Sequence, residues 1–189
     1  MSMRMGSTPS RPIEDPRVKY ALLALVVIIV GHAIFAAISF YKLPEMIPSF
    51  YHEHGKAREL TEKSIVTWFV FWMISTGCAV LTACPALAID RIPSDYLNMP
   101  KKEEFLSLRP AIRAGIFASL SFHIILFVCV MALFFFVIHV FTALTFLGTI
   151  KDLPLFVILG GASVLVIHGV ALWFIALAEI KKGLQNRAS

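Results

Sequence analysis

Four uninterrupted apolar stretches constrain this chain more than any other feature, because an ordinary soluble core has no room for several long helices that are apolar on every side. They run from about Val18 to Tyr41, Ile65 to Ile89, Ile112 to Phe141 and Leu155 to Ile180. A hydrocarbon core about 30 Å thick takes roughly 20 helical residues to cross, and each run is long enough. Barrel strands alternate apolar and polar residues over only about ten positions, so helices fit these runs better. The chain is 58% hydrophobic and 15% charged, which sets it apart from soluble domains of its length. The expected fold is all-α: a four-helix transmembrane bundle forming one membrane domain over 17–182. A disordered tail is expected over 1–16, rich in Ser, Pro and Arg, and a short tail over 183–189. The first run is too long for the apolar part of a cleavable signal.

Basic residues resist translocation, so their distribution predicts orientation. With both termini on one side, twelve of the seventeen Lys and Arg fall on that side, among them Arg17, Lys101, Lys102, Arg113 and Lys182. Lys42, Lys56, Arg58, Lys63 and Lys151 fall on the other. The N and C termini are therefore expected to be cytoplasmic. The net charge of +5 follows from this bias beside anionic headgroups, so the expected partner is the lipid bilayer and no nucleic acid is expected. Cys78, Cys84 and Cys129 all lie inside the runs without metal-type spacing, and no disulfide framework is implied.

The outer loop after the first run reads Lys42-Leu43-Pro44-Glu45-Met46-Ile47-Pro48-Ser49-Phe50-Tyr51-His52-Glu53-His54-Gly55. Its two prolines exclude helix and favour a rigid extended turn, and Gly55 permits the chain to reverse. The inner loop from Asp90 to Arg113 is of mixed charge and is suited to set topology or to meet a cytoplasmic partner. Pro85 is expected to kink the second helix, and Pro154 suits the first turn of the fourth.

Leu43, Pro44, Ile47 and Pro48, then Gly55, Lys63 and Ser64, and later Asn98, Met99, Pro100 and Lys101, follow one another as in a known pattern. On these residues, roughly 15 to 125 of the chain resembles the small membrane family called domain of unknown function 1648, found also in the N-terminal part of SdpI-type immunity proteins. The resemblance implies an integral membrane protein of a bacterial-type cell inner membrane. It further implies a module for toxin immunity or for signalling, with another membrane protein or a cytoplasmic regulator as partner. It implies no chemistry.

Within the runs, His32, Cys78, His123 and His168 lie at similar depth when counted at 1.5 Å per residue. Each shares a helix face with small residues: Ala111, Gly115 and Ser119 with His123, for example, and Gly161 with His168. Such faces usually turn toward other helices. Facing imidazoles at one depth suit axial haem or a transition metal, with His123 and His168 the best pair and His32 beside them. Histidines at membrane depth also suit a proton or ion path, but the favoured reading is that each is a neutral, hydrogen-bonded packing residue with no cofactor bound. No Asp, Glu, Lys or Arg is expected at membrane depth, which counts against coupled transport. In the outer loop His52, Glu53 and His54 match zinc or copper ligands by type. His139 reads as an interfacial histidine among phenylalanines. Motifs of soluble enzymes (a phosphate-binding Gly-rich loop, HExxH, GxSxG) are absent, so the expected role is non-enzymatic, an accessory, sensor or immunity module acting through its two loops.

Overall fold

The computed structural model describes residues 11–48, 60–93, 96–150 and 154–188. Four long helices are apolar and long enough to span a bilayer: α1 (Pro16–Lys42), α2 (Ile65–Leu87), α4 (Pro110–Phe146) and α5 (Leu155–Ala188). The all-α four-helix transmembrane bundle is thus the observed architecture, and the protein is a multi-pass membrane protein. An even number of spans puts both termini at one end, called here the terminal face, and the α1–α2 connection at the other, the loop face.

Local chemistry sets the ends. A 3-10 turn over Pro12–Glu14, within the stretch expected as tail, leads into α1. Asp15 caps α1 by accepting the Arg17 backbone N–H at 2.8 Å, and Pro16 occupies the first helical position, where no N–H is needed. Between α2 and α4 lie a 3-10 turn over Ile89–Arg91 and a short helix, α3 (Lys102–Leu106). At the far end α5 continues as helix beyond residue 182. At 37 residues α4 is about 55 Å long, well beyond a hydrocarbon core.

The centre of the bundle is α4, which packs against α1, α2 and α5. Its buried positions, from Ile116 to Ala143, occupy several faces. Along α1 the buried residues Val18, Ala21, Leu25, His32, Ala36 and Ser39 form one stripe at helical spacing. The buried residues of α2 are mostly small (Ser75, Ala79, Ala83, Ala86), so its backbone comes close to its neighbours. Side chains then bond to carbonyls of the next helix: Ser121 Oγ to Ala86 O (2.6 Å), Trp68 Nε1 to Ala36 O (2.9 Å) and Trp72 Nε1 to Ile29 O (3.1 Å). By contrast, α5 lies outside this trio. It runs along α4, touches α3 near its C-terminal end and barely meets α1 or α2.

Three apolar clusters follow one another along α4. The middle one joins Val18, Ala21 and Leu25 to Ala79, Ala83, Ile125, Val128, Cys129 and Ala132. At the terminal face Phe105 and Leu108 close over Ile116, Leu120, Ala176 and Ile180. At the loop face Leu43 and Ile47 pack on Trp68 and Ala143.

Candidate functional site

The loop-face cluster anchors the described start of the connection after α1 on α2 and α4. Strands β1 (Met46–Pro48) and β2 (Leu60–Glu62) pair antiparallel, with Ile47 opposite Thr61. Leu43 and Ile47 are buried, while Pro44 is exposed and stops the helix from continuing. Lys63 is the clamp. Its Nζ donates to Leu43 O at 3.2 Å, pairs with Glu45 at 2.9 Å and lies 5.4 Å over the Phe40 ring. The motif residues Leu43, Ile47 and Lys63 thus act by packing and clamping. Gly55, and the candidate metal ligands His52, Glu53 and His54, lie outside the described residues. In the inner loop Pro100 is buried and Asn98 exposed. Lys101 adopts a left-handed conformation (φ 52°) and pairs with Glu104 at 2.9 Å at the start of α3.

Beneath the hairpin plug lies a histidine pair. His32 Nε2 and His139 Nδ1 are 2.9 Å apart, and both residues are completely buried. They meet because α1 and α4 run parallel in constant register: Cys129 Sγ reaches Ala21 O over an offset of 108 residues, and the histidines meet over 107. Aromatic rings enclose them. Phe136 stacks on His32 at 5.0 Å, Trp68 meets His139 edge-on at 4.4 Å, and Phe35 and Phe71 complete the box. His139 is therefore part of the core and not the interfacial residue the sequence led us to expect; a run of phenylalanines hid its inward face.

Each neutral imidazole has one N–H, so the nitrogen facing the partner donates on one ring and accepts on the other. Whichever tautomers form, one donor and one acceptor remain on the far sides. His32 Nδ1 and His139 Nε2 are indeed buried without a partner, as are Ser75 Oγ and Thr76 Oγ1 on α2. An ion bridging the two rings in line, with bonds of about 2.0 Å, would hold the nitrogens about 4 Å apart. The 2.9 Å contact is a hydrogen bond instead. Among the described residues no group of three or more His, Cys, Asp or Glu is arranged to hold a metal ion.

His123 and His168 belong elsewhere. Both are half-buried on the α4–α5 side, where Phe127 lies 5.5 Å from His168 and Phe122 lies 5.0 Å from His123. His123 is within electrostatic range of Glu179, His168 and Arg17. The shared depth of His32, His123 and His168 therefore does not make them one centre: the packing divides them between two sides of α4. Cys78 is half-buried on α2 and enters neither group by any described contact.

Glu179 lies one residue inside the end of the fourth apolar run and accepts a hydrogen bond from Ser119 Oγ at 3.1 Å. Arg17, Ser119, Glu179 and Lys182 line an open cavity of about 230 Å³, floored by Gly115 and Ile116. Arg17 is itself held by Asp15, through Nε at 3.2 Å and Nη2 at 2.9 Å. That hydrogen bond holds the Asp15 carboxyl below its ordinary value. The single acid in an otherwise apolar run was visible in the sequence; its partner on α4 was not. Compared with protein-family models, with curated proteins and with solved structures, the chain matches none.

Proposed function

We propose that this protein is a non-enzymatic accessory or sensor module of a bacterial-type plasma membrane, one that couples its loop face to its terminal face through α4. The observation that carries this reading is the two-ended packing of that helix. Ala143 and Phe146 hold the hairpin plug at one end, and Ile116 and Leu120 hold the α3 cap at the other. A packed rod of this kind transmits a displacement because its contacts shift together instead of yielding one by one. The loop face receives the signal, and the mixed-charge terminal face passes it to a membrane or cytoplasmic partner.

The test loosens one end and reads the other. In a background without Cys78, Cys84 and Cys129, a cysteine placed at Leu108, which the cap buries, reports opening of the cap by its alkylation rate. Lys63→Gln removes the clamp and is expected to change that rate several-fold. An unchanged rate, with the hairpin shown to be loosened by proteolysis, would sink the coupling. The immunity role implied by the family resemblance has its own assay: deleting the gene should sensitise cells to at least one membrane-active peptide in a broad panel.

One observation favours a second reading, a histidine-based proton carrier or cofactor protein: the unsatisfied nitrogens of the His32–His139 pair, an arrangement that is costly in an apolar interior. Proton flux in proteoliposomes that is lost in His32→Ala, or haem bands in a reduced-minus-oxidised spectrum, would replace the first reading with this one.

A further inference from the structure

Two helices contribute charge, and a third a hydroxyl, to one seam at the terminal face that the reading above does not use. Ser119 and Gly115 come from α4, Arg17 from the first turn of α1, and Glu179 and Lys182 from α5. Because α1 and α5 flank the same stretch of α4 yet barely meet each other, the seam stays open between them. Its depth is defined. Arg17 immediately precedes the first apolar run, and Glu179 and Lys182 straddle the end of the fourth, so the cavity lies at the level of lipid headgroups. Charged side chains on membrane-spanning segments are costly and mark functional positions when they face a cavity.

We propose that this seam binds a phospholipid bearing a primary amine and a phosphate, an ethanolamine phospholipid of the leaflet at the terminal face. The charges are arranged for both groups. Glu179, steadied by Ser119, accepts the ammonium, and Lys182 and Arg17 face the phosphate. Asp15 occupies Nε and Nη2 of Arg17 and so leaves Nη1 outside that fork. A primary ammonium donates charge-assisted hydrogen bonds to a carboxylate, which a quaternary choline group lacks the N–H to do. An anionic glycerol headgroup brings a phosphate and no cation to a seam in which Arg17 and Lys182 already offset Asp15 and Glu179, and so leaves one negative charge in excess. The open side of the seam admits the acyl chains from the bilayer.

The experiment reconstitutes the full-length protein with equal amounts of ethanolamine, choline and glycerol phospholipids, then measures the lipid that stays bound after purification. The expected result is a several-fold enrichment of the ethanolamine lipid over the choline lipid. Glu179→Gln should bring the two to parity, whereas Lys182→Gln should lower total retained phospholipid with the ratio kept. Glu104→Gln, an exchange outside the seam, should leave the enrichment intact. Should Glu179→Gln fail to fold, Ser119→Ala takes its place and is expected to reduce the enrichment. Parity in the wild type, enrichment of the glycerol lipid, or enrichment that survives Glu179→Gln each overturns the proposal. So does displacement of the lipid by soluble phosphoethanolamine, which would make the ligand a soluble headgroup analogue. The outcome is independent of the coupling through α4, so either reading can fail alone.

Discussion

Replacing His139 by Leu removes the nitrogen facing His32 Nε2 and strands that atom beside the Phe136 ring. Replacing His32 by Leu does the same to His139 Nδ1. Each single change is expected to cost about 1–3 kcal/mol, because a buried polar group left unpaired loses its hydration without compensation. The double replacement leaves no polar atom from either ring to satisfy, so it should cost less than the two singles together, with a coupling of about 0.5–3 kcal/mol. Unfolding in detergent by heat or denaturant measures the cycle. Strictly additive losses would mean that the two rings do not act as a pair. The pairing was hard to read from sequence for a physical reason. His32 and His139 lie 107 residues apart, and only the rotation of α1 and α4 about their axes decides that they meet. His123 illustrates the converse: its depth was legible, but the face it turns toward Glu179 was not.

At the level of elements, α5 approaches α4 through a specific fit. Gly161 lies against the ring of Phe134, and a Cβ added there would fall on ring atoms Cδ2 and Cε2. Gly160, its neighbour, has open space around it. One helical period of seven residues on, His168 meets Phe127 in the same antiparallel register. Gly161→Ala is expected to destabilise the α4–α5 contact by about 1–3 kcal/mol through overpacking, and Gly160→Ala to leave it unchanged. Crosslinking yield between cysteines placed on α4 and α5 reports the difference; equal yields in both variants would argue against a tight fit at Gly161. The existence of the helices could be read directly from run length, since apolar stretches of this size have one solution in a membrane. Their full extents could not. Both α4 and α5 continue as helix past their apolar runs while packing partners remain, Ala143 and Phe146 at one end and Gly183 and Leu184 at the other. Of the outer loop, the described residues form the hairpin ends, where Lys63 bonds to Leu43 O and pairs with Glu45 while Leu43 and Ile47 are buried beneath.

For the whole molecule, the charge bias and the bundle together predict sidedness. An impermeant thiol reagent applied to intact cells should label a cysteine at Glu62 on the loop face and spare one at Glu103 on the terminal face, in the background without native cysteines. Permeabilised cells should label both. The reverse pattern would invert the orientation inferred from Lys and Arg. The even number of spans was legible in the sequence, and with it the shared side of the termini. The order of packing was not, because four helices of similar apolar character give no signal for which one is central. That choice follows from side-chain size, with small buried residues on α2 and several buried faces on α4.

The long offset between the two histidines also has a meaning in time. At about 5–20 residues per second of synthesis, the 107 residues separating them correspond to roughly 5 to 20 s. For that interval His32 exists without the partner that satisfies it. Newly inserted α1 and α2 therefore form a provisional hairpin holding one unpaired imidazole, and the arrival of α4 completes it. A protein assembled in this order carries an unpaired imidazole on α1 until α4 has been made. Substitutions at His139 should accordingly lower yield during biogenesis more than they lower the stability of molecules that have finished folding.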